Sequence, residues 1–145
     1  MPRQQATITI EEIKDRLPPF FKEEGLQLVI IFGSAVTGDA HKHSDIDIAC
    51  LFDKSIDILA ITNQVIKLLR TDNIDVVDLT RSSPLLKYSA VKNGCLIYEK
   101  ADGIFNEFYS LAFRMYVDTK KLRDAQAMSI KYFLKEREKR EKIKD

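Results

Sequence analysis

The stretch IIFGSAVTGDAHKHSDIDIACLF, Ile30 to Phe52, decides how the chain folds. Two strongly apolar runs meet here. The first breaks at Gly33-Ser34, and the second carries two aspartates, Asp45 and Asp47, one residue apart. The run LQLVIIF, Leu26 to Phe32, is too short and too continuously apolar for a surface helix and reads as a buried strand. After a polar loop centred on Gly38, SDIDIACLF reads as a second strand. Its alternation puts Asp45, Asp47, Ala49 and Leu51 on one face and Ile46, Ile48, Cys50 and Phe52 on the other.

Working outward, Thr9 and Glu12 form a capping-box pattern ahead of IEEIKDRL, a helix that Pro18-Pro19 interrupt. FFKEEG makes a short turn ending at Gly25. Beyond the second strand, Ser55 caps a helix to about Arg70 whose apolar stripe is Ile58, Ile61, Val65, Leu68 and Leu69. NIDVVDL is a third strand. Ser82 or Ser83, with Pro84 at the first helical position, opens a helix that stops at Asn93-Gly94, and CLIYE is a fourth strand. From about Asp102 the spacing is helical, with Ile104, Phe108, Leu111 and Met115 on one stripe and Phe105, Tyr109, Ala112 and Tyr116 beside it. The mixed-charge end, KEREKREKIKD, reads as a solvated helix or tail. Strands alternating with helices place the chain in the α/β (α+β) class, a small mixed sheet of about four strands covered by helices.

The totals narrow the function. With 145 residues the chain suits one hydrophobic core. Its 23 basic residues against 22 acidic ones give a formal charge of +1, so no general field draws it to nucleic acid or an anionic membrane, and direct nucleic-acid binding is not expected. Any anion must be held locally. Cys50 and Cys95 lie far apart in apolar segments and read as buried, reduced thiols. With neither a signal-peptide pattern nor a span-length apolar run, the expectation is a soluble, cytoplasmic protein.

Each break in the opening stretch has its chemistry. A glycine and serine directly after a strand can turn the backbone so that N–H groups and a hydroxyl face a phosphate. Taken alone, Gly-Ser is also an ordinary strand-to-loop turn. Aspartates at i and i+2 of a strand share a face and can hold divalent cations through oxygen, as magnesium requires. A wet strand surface is the plain alternative, but the apolar flanks place this strand centrally, where unpaired carboxylates are costly. The helix between the second and third strands is long enough for a crossover, so both start at the same end of the sheet. Asp75 is then level with Asp45 and Asp47, while Asp78 lies further along on the opposite face. A slip of one residue in register would exchange the two.

Gly33-Ser34, ten intervening residues, then Asp45-Ile46-Asp47 resembles the G-S-x10-D-x-D signature of the polymerase-β-like nucleotidyltransferase superfamily. IDVVDL and SPLLKYSAVKNGCLIYE are similar to the third-acid strand and the closing helix and strand of its minimal, MNT-type branch. The likeness covers roughly residues 26 to 99, and the whole layout resembles the MntA-type antitoxins that accompany HEPN-domain toxins. The resemblance implies that Gly33 and Ser34 hold the nucleotide's β- and γ-phosphates. It implies that Asp45, Asp47 and Asp75 bind two magnesium ions, with Asp75 the base for the attacking hydroxyl. The implied reaction transfers AMP from ATP to a tyrosine of a HEPN ribonuclease toxin, releasing pyrophosphate. Ala35-Val36-Thr37 depart from relatives that carry an aromatic or basic residue after the serine.

The expected division is a minimal nucleotidyltransferase domain at 1–100 and a C-terminal helical extension at 101–145 that packs on the domain or a partner, as a homo- or hetero-oligomer. Two other readings stand beside the leading one: the same chemistry on a small molecule such as an aminoglycoside, or neutralisation of a partner by binding alone. His41-Lys42-His43 and Arg81 are weaker candidates. Loop histidines without a third ligand usually face solvent, Lys42 is a modest candidate for a phosphate contact, and Arg81 suits a surface ion pair better than substrate.

Overall fold

The computed structural model describes residues 8–33 and 46–143. Ser34, the loop through His41-Lys42-His43, and Asp45 lie outside the described residues. Among the described residues four helices, one 3-10 helix and four strands follow in the order α1 (Ile10–Arg16), 3-10 helix (Pro18–Lys22), β1 (Leu26–Phe32), β2 (Ile46–Phe52), α2 (Ile58–Leu69), β3 (Ile74–Asp78), α3 (Pro84–Asn93), β4 (Cys95–Glu99) and α4 (Ile104–Ile143). The strands form one sheet in the order β3-β2-β1-β4. β1 is antiparallel to β2 and β4, and β2 is parallel to β3. The fold is the mixed α+β arrangement expected from the alternation of strands and helices.

The parallel step depends on α2, which carries the chain back across one face of the sheet. Asp57 caps it, its carboxylate accepting from the N–H groups of Leu59 and Ala60, so the helix starts two residues later than a Ser55 cap implies. Aspartate one residue before the apolar stripe satisfies two orphan donors at once. Arg70 ends the helix at φ 58, the left-handed turn that releases the chain toward β3. α1 begins as the capping box implies, with Glu12 N–H donating to Thr9 Oγ1 at 3.1 Å.

Two apolar clusters sandwich the sheet. On one face Val29, Ile31, Ile48, Cys50 and Val76 pack against α1, the 3-10 helix and α2 through Ile13, Phe20, Ile61, Val65 and Leu69. On the other, Leu28, Ile30, Ala49 and Leu79 pack against α3 and α4 through Ala90, Val91, Phe108 and Ala112. Alternation along each strand thus feeds two cores rather than one core and one wet face.

α3 ends where the sequence places its end, but Gly94 is not a left-handed cap; its φ is −86. Glycine is required by crowding instead. A Cβ there would overlap the Ala90 carbonyl and Ile30 Cγ2 and stand 3.1 Å from the Ile31 carbonyl. Gly94→Ala should therefore lower stability by about 2–3 kcal/mol without any backbone-angle penalty, read as a shifted denaturant midpoint at an unchanged slope.

The expected stripe on the last helix is rotated. Phe108 and Ala112 are buried, with Ile104, Phe105 and Tyr109 partly so, whereas Leu111 is 44% exposed. The charged segment continues the helix as far as Ile143, the solvated-helix alternative of the two expected: α4 is one helix of 40 residues.

Candidate active site

The site lies at the end of the sheet where β1 finishes and β2 and β3 begin. Phe32, the last residue of β1, is the Cα partner of Asp47, and Asp47 is in turn the Cα partner of Asp75 across the parallel pair. The two aspartates are therefore side by side on neighbouring strands, roughly 5 Å apart at the backbone. They share the face of Ala49, Leu51 and Val77, the side of the sheet covered by α3 and α4. Asp47 is half-buried and Asp75 exposed.

Gly33 follows immediately with φ +87, a conformation that favours glycine. A Cβ at this position would overlap Asp47 Oδ2. The turn is thus folded onto the carboxylate, which leaves its backbone free to approach a ligand bound at the same oxygen atoms. Gly33, Asp47 and Asp75 are brought together; Ser34 and Asp45 lie outside the described residues.

Asp78 is not part of this group. Its Cα partner is Cys50, three positions along β2 from Asp47, and its carboxylate accepts from Thr80 N–H at 3.0 Å in a local turn. The thiol of Cys50 is pushed up to about 12 by burial, reinforced by the negative charge of Asp78. It stays protonated at any physiological pH. Cys95 is only half-buried, against the expectation that both thiols would be enclosed, because β4 is an edge strand. A thiol reagent at pH 8 should modify Cys95 readily and Cys50 only after unfolding, giving one fast thiol in the native protein and two in denaturant.

The donor set suits a hard cation. Magnesium is commonly held by one or two carboxylates together with waters and substrate phosphates, and Asp47 beside Asp75 offers such a pair. Among the described residues no cluster of three metal-ligating side chains occurs.

A mixed sheet with aspartates level across its parallel pair, and a glycine turn folded onto one of them, offers carboxylate oxygens and open backbone at one sheet end. Residues 12–103 match the family described as polymerase beta, nucleotidyltransferase, and the chain belongs to that family. A protein adenylyltransferase MntA from Aphanizomenon flos-aquae is 27% identical over 140 residues, covering 87% of this chain and 93% of that protein. An MntA from Shewanella oneidensis is 34% identical over 88 residues, 59% of this chain and 58% of that one. Among solved structures, a toxin–antitoxin complex with AMP-PNP contains a chain 27% identical at a TM-score of 0.65, covering 83% of this chain and 94% of its own. A complex of the tri-AMPylated Shewanella oneidensis HEPN toxin with its MNT antitoxin gives 27% identity and a TM-score of 0.60, over 83% of this chain and 91% of that one.

Proposed function

We propose that this chain is a magnesium-dependent protein adenylyltransferase that transfers AMP from ATP to a tyrosine hydroxyl of a HEPN ribonuclease toxin and so neutralises it. The observation that carries the reading is the register that sets Asp47 beside Asp75 at the strand ends reached by the Gly33 turn. The relatives named as adenylyltransferases, and the AMPylated toxin held by a similar antitoxin, support the same chemistry and the same class of acceptor.

In this mechanism Gly33 and Ser34 bind the β- and γ-phosphates of ATP and orient the triphosphate along the turn. Asp45, Asp47 and Asp75 would hold two magnesium ions, which supply charge neutralisation at the attacking and leaving oxygens. Asp75, exposed at the strand edge, accepts the proton of the tyrosine hydroxyl. The phenolic oxygen then bonds to the α-phosphorus as the bond from that phosphorus to the β-phosphate bridging oxygen breaks. Pyrophosphate leaves and AMP remains on the tyrosine.

Residues up to about 100 supply this catalytic unit; the helical extension after it packs on the domain through Phe108 and Ala112, and its later turns are open to the partner. The setting is the cytoplasm, where ATP and magnesium coexist with reduced thiols; among the described residues no helix is long and apolar enough to cross a membrane. Intact-mass and peptide mass spectrometry of a HEPN partner, incubated with the chain, ATP and magnesium, tests the reading. AMP adducts on tyrosine are expected; an unmodified partner in a stable complex would instead favour neutralisation by binding alone.

A further inference from the structure

α3 and α4 run side by side, and a cleft of about 210 Å³ opens between them, lined by Leu85, Tyr88, Ser89, Lys92, Asn93 and Tyr116. It sits toward the catalytic end of the sheet. Asn93 is followed by Gly94, which is packed against the Ile31 carbonyl, two residues before Gly33. α4 starts near the other end, where Phe105 N–H donates to Glu99 Oε2, and has climbed to the level of Asn93 by Tyr116.

Tyr88 and Tyr116 wall the cleft, and Lys92 is the charged side chain among its described lining residues. Tyr88 meets Tyr116 edge-on at 4.6 Å and also contacts Tyr109 and Phe113. Lys92 Nζ lies 5.6 Å from the Tyr88 ring centroid, and the Arg123 guanidinium 4.5 Å from that of Tyr116. Arg123 is fixed there by donating to the Tyr116 carbonyl at 3.1 Å and to Thr119 Oγ1. Among the described residues no carboxylate lines the cleft and neither cation is ion-paired. Lys92, resting on a ring rather than on a carboxylate, keeps its charge available to an anion entering the cleft, and Arg123 adds a second positive charge beside it on the Tyr116 ring. Ser89 and Asn93 add a hydroxyl and an amide for hydrogen bonds.

Beyond Tyr116 the helix continues through 117–143, roughly 40 Å at 1.5 Å per residue. It carries exposed Leu122, Met128, Ile130, Tyr132, Phe133 and Leu134. An exposed apolar segment of that extent marks a surface that meets protein. It follows along the same helix from Tyr116, a wall of the cleft, which ties the cleft to a macromolecular ligand rather than to a free small anion.

We infer that the cleft between α3 and α4 is a specificity pocket for the protein acceptor, taking an acidic side chain flanked by an apolar or aromatic one and so registering the acceptor against the catalytic end. This rests on the proposed transfer to a protein. Its size suits one or two side chains and falls below the usual range for a complete nucleotide.

Two readouts test it: the affinity of the chain for its HEPN partner, by anisotropy of the labelled partner without ATP, and the steady-state kinetics of transfer. Lys92→Glu, at an exposed position, should weaken partner affinity about tenfold or more, and Lys92→Arg should keep it within about twofold. The KM for the partner should rise accordingly, with kcat and the KM for ATP unchanged. Unaltered affinity in Lys92→Glu, or an effect on the KM for ATP instead, overturns the pocket. Charge-sensitive binding without transfer by the unaltered chain would overturn only the transferase reading; transfer with an affinity indifferent to Lys92 would overturn only the pocket. A chain that neither binds nor modifies the partner contradicts both.

Discussion

Replacing Asp47 with asparagine is expected to lower nucleotidyl transfer at least about a thousand-fold while leaving the protein folded. The substitution keeps the size and one oxygen of the side chain but removes the negative charge that a hard cation requires. Loss of the metal's interaction with the developing transition-state charge is worth several kcal/mol, and about 4 kcal/mol corresponds to three orders of magnitude. Asp47 is half-buried between Ile46 and Ile48, both buried, so the strand holds its backbone whatever the side-chain charge. Unchanged circular dichroism and an unchanged unfolding midpoint within about 1 kcal/mol should accompany the lost activity. An equal loss of activity and of folding would mean that the carboxylate serves the strand and not the chemistry.

Gly33→Ala should damage both. The backbone at φ +87 costs an L-residue about 1–2 kcal/mol, and the added Cβ overlaps Asp47 Oδ2. One of the two must give way. A side chain yields more readily than strand-end backbone, so the acid is pushed away from the turn, and a displacement near 1 Å at reacting groups costs about a hundred-fold in rate. Gly103→Ala provides the comparison, since Gly103 has φ +99 but nothing within 4 Å of a Cβ. It should lose a similar backbone increment in stability while keeping its activity. Equal activities in the two variants would show that the close approach at Gly33 has no catalytic consequence.

Much of this arrangement was legible from residue order because the decisive steps are local. Alternation along β2 assigns Asp47 to a face without knowledge of any other strand. The length of the α2 crossover then makes β3 parallel and brings Asp75 level with Asp47. The same logic separates Asp78, whose partner is Cys50.

What escaped depends on packing between elements distant in sequence. Asp57, not Ser55, caps α2; serine and aspartate both cap well, and only the position where the chain leaves the sheet selects between them. Leu111 shares helical spacing with Phe108, but α3 covers only the Phe108–Ala112 side, so the stripe is rotated. Gly94 looks like a helix-ending glycine yet is required by contact with Ile30 and Ala90, which no local pattern reveals. The cleft escaped for the same reason: Tyr88 and Lys92 sit on a helix with little amphipathic pattern and become neighbours of Tyr116 only through the α3–α4 contact.

The central claim is that the chain moves AMP onto a protein tyrosine, and the measurement that tests it most directly uses ATP labelled separately at two phosphates. The chain, magnesium and a HEPN partner are incubated with ATP labelled at the α-phosphate and, in parallel, at the γ-phosphate. Label from the α-phosphate should appear on partner tyrosine, label from the γ-phosphate should leave as pyrophosphate, and Asp45→Asn with Asp47→Asn should abolish the transfer. Partner labelled from the γ-phosphate, or α-label transferred undiminished by the double variant, would contradict the account.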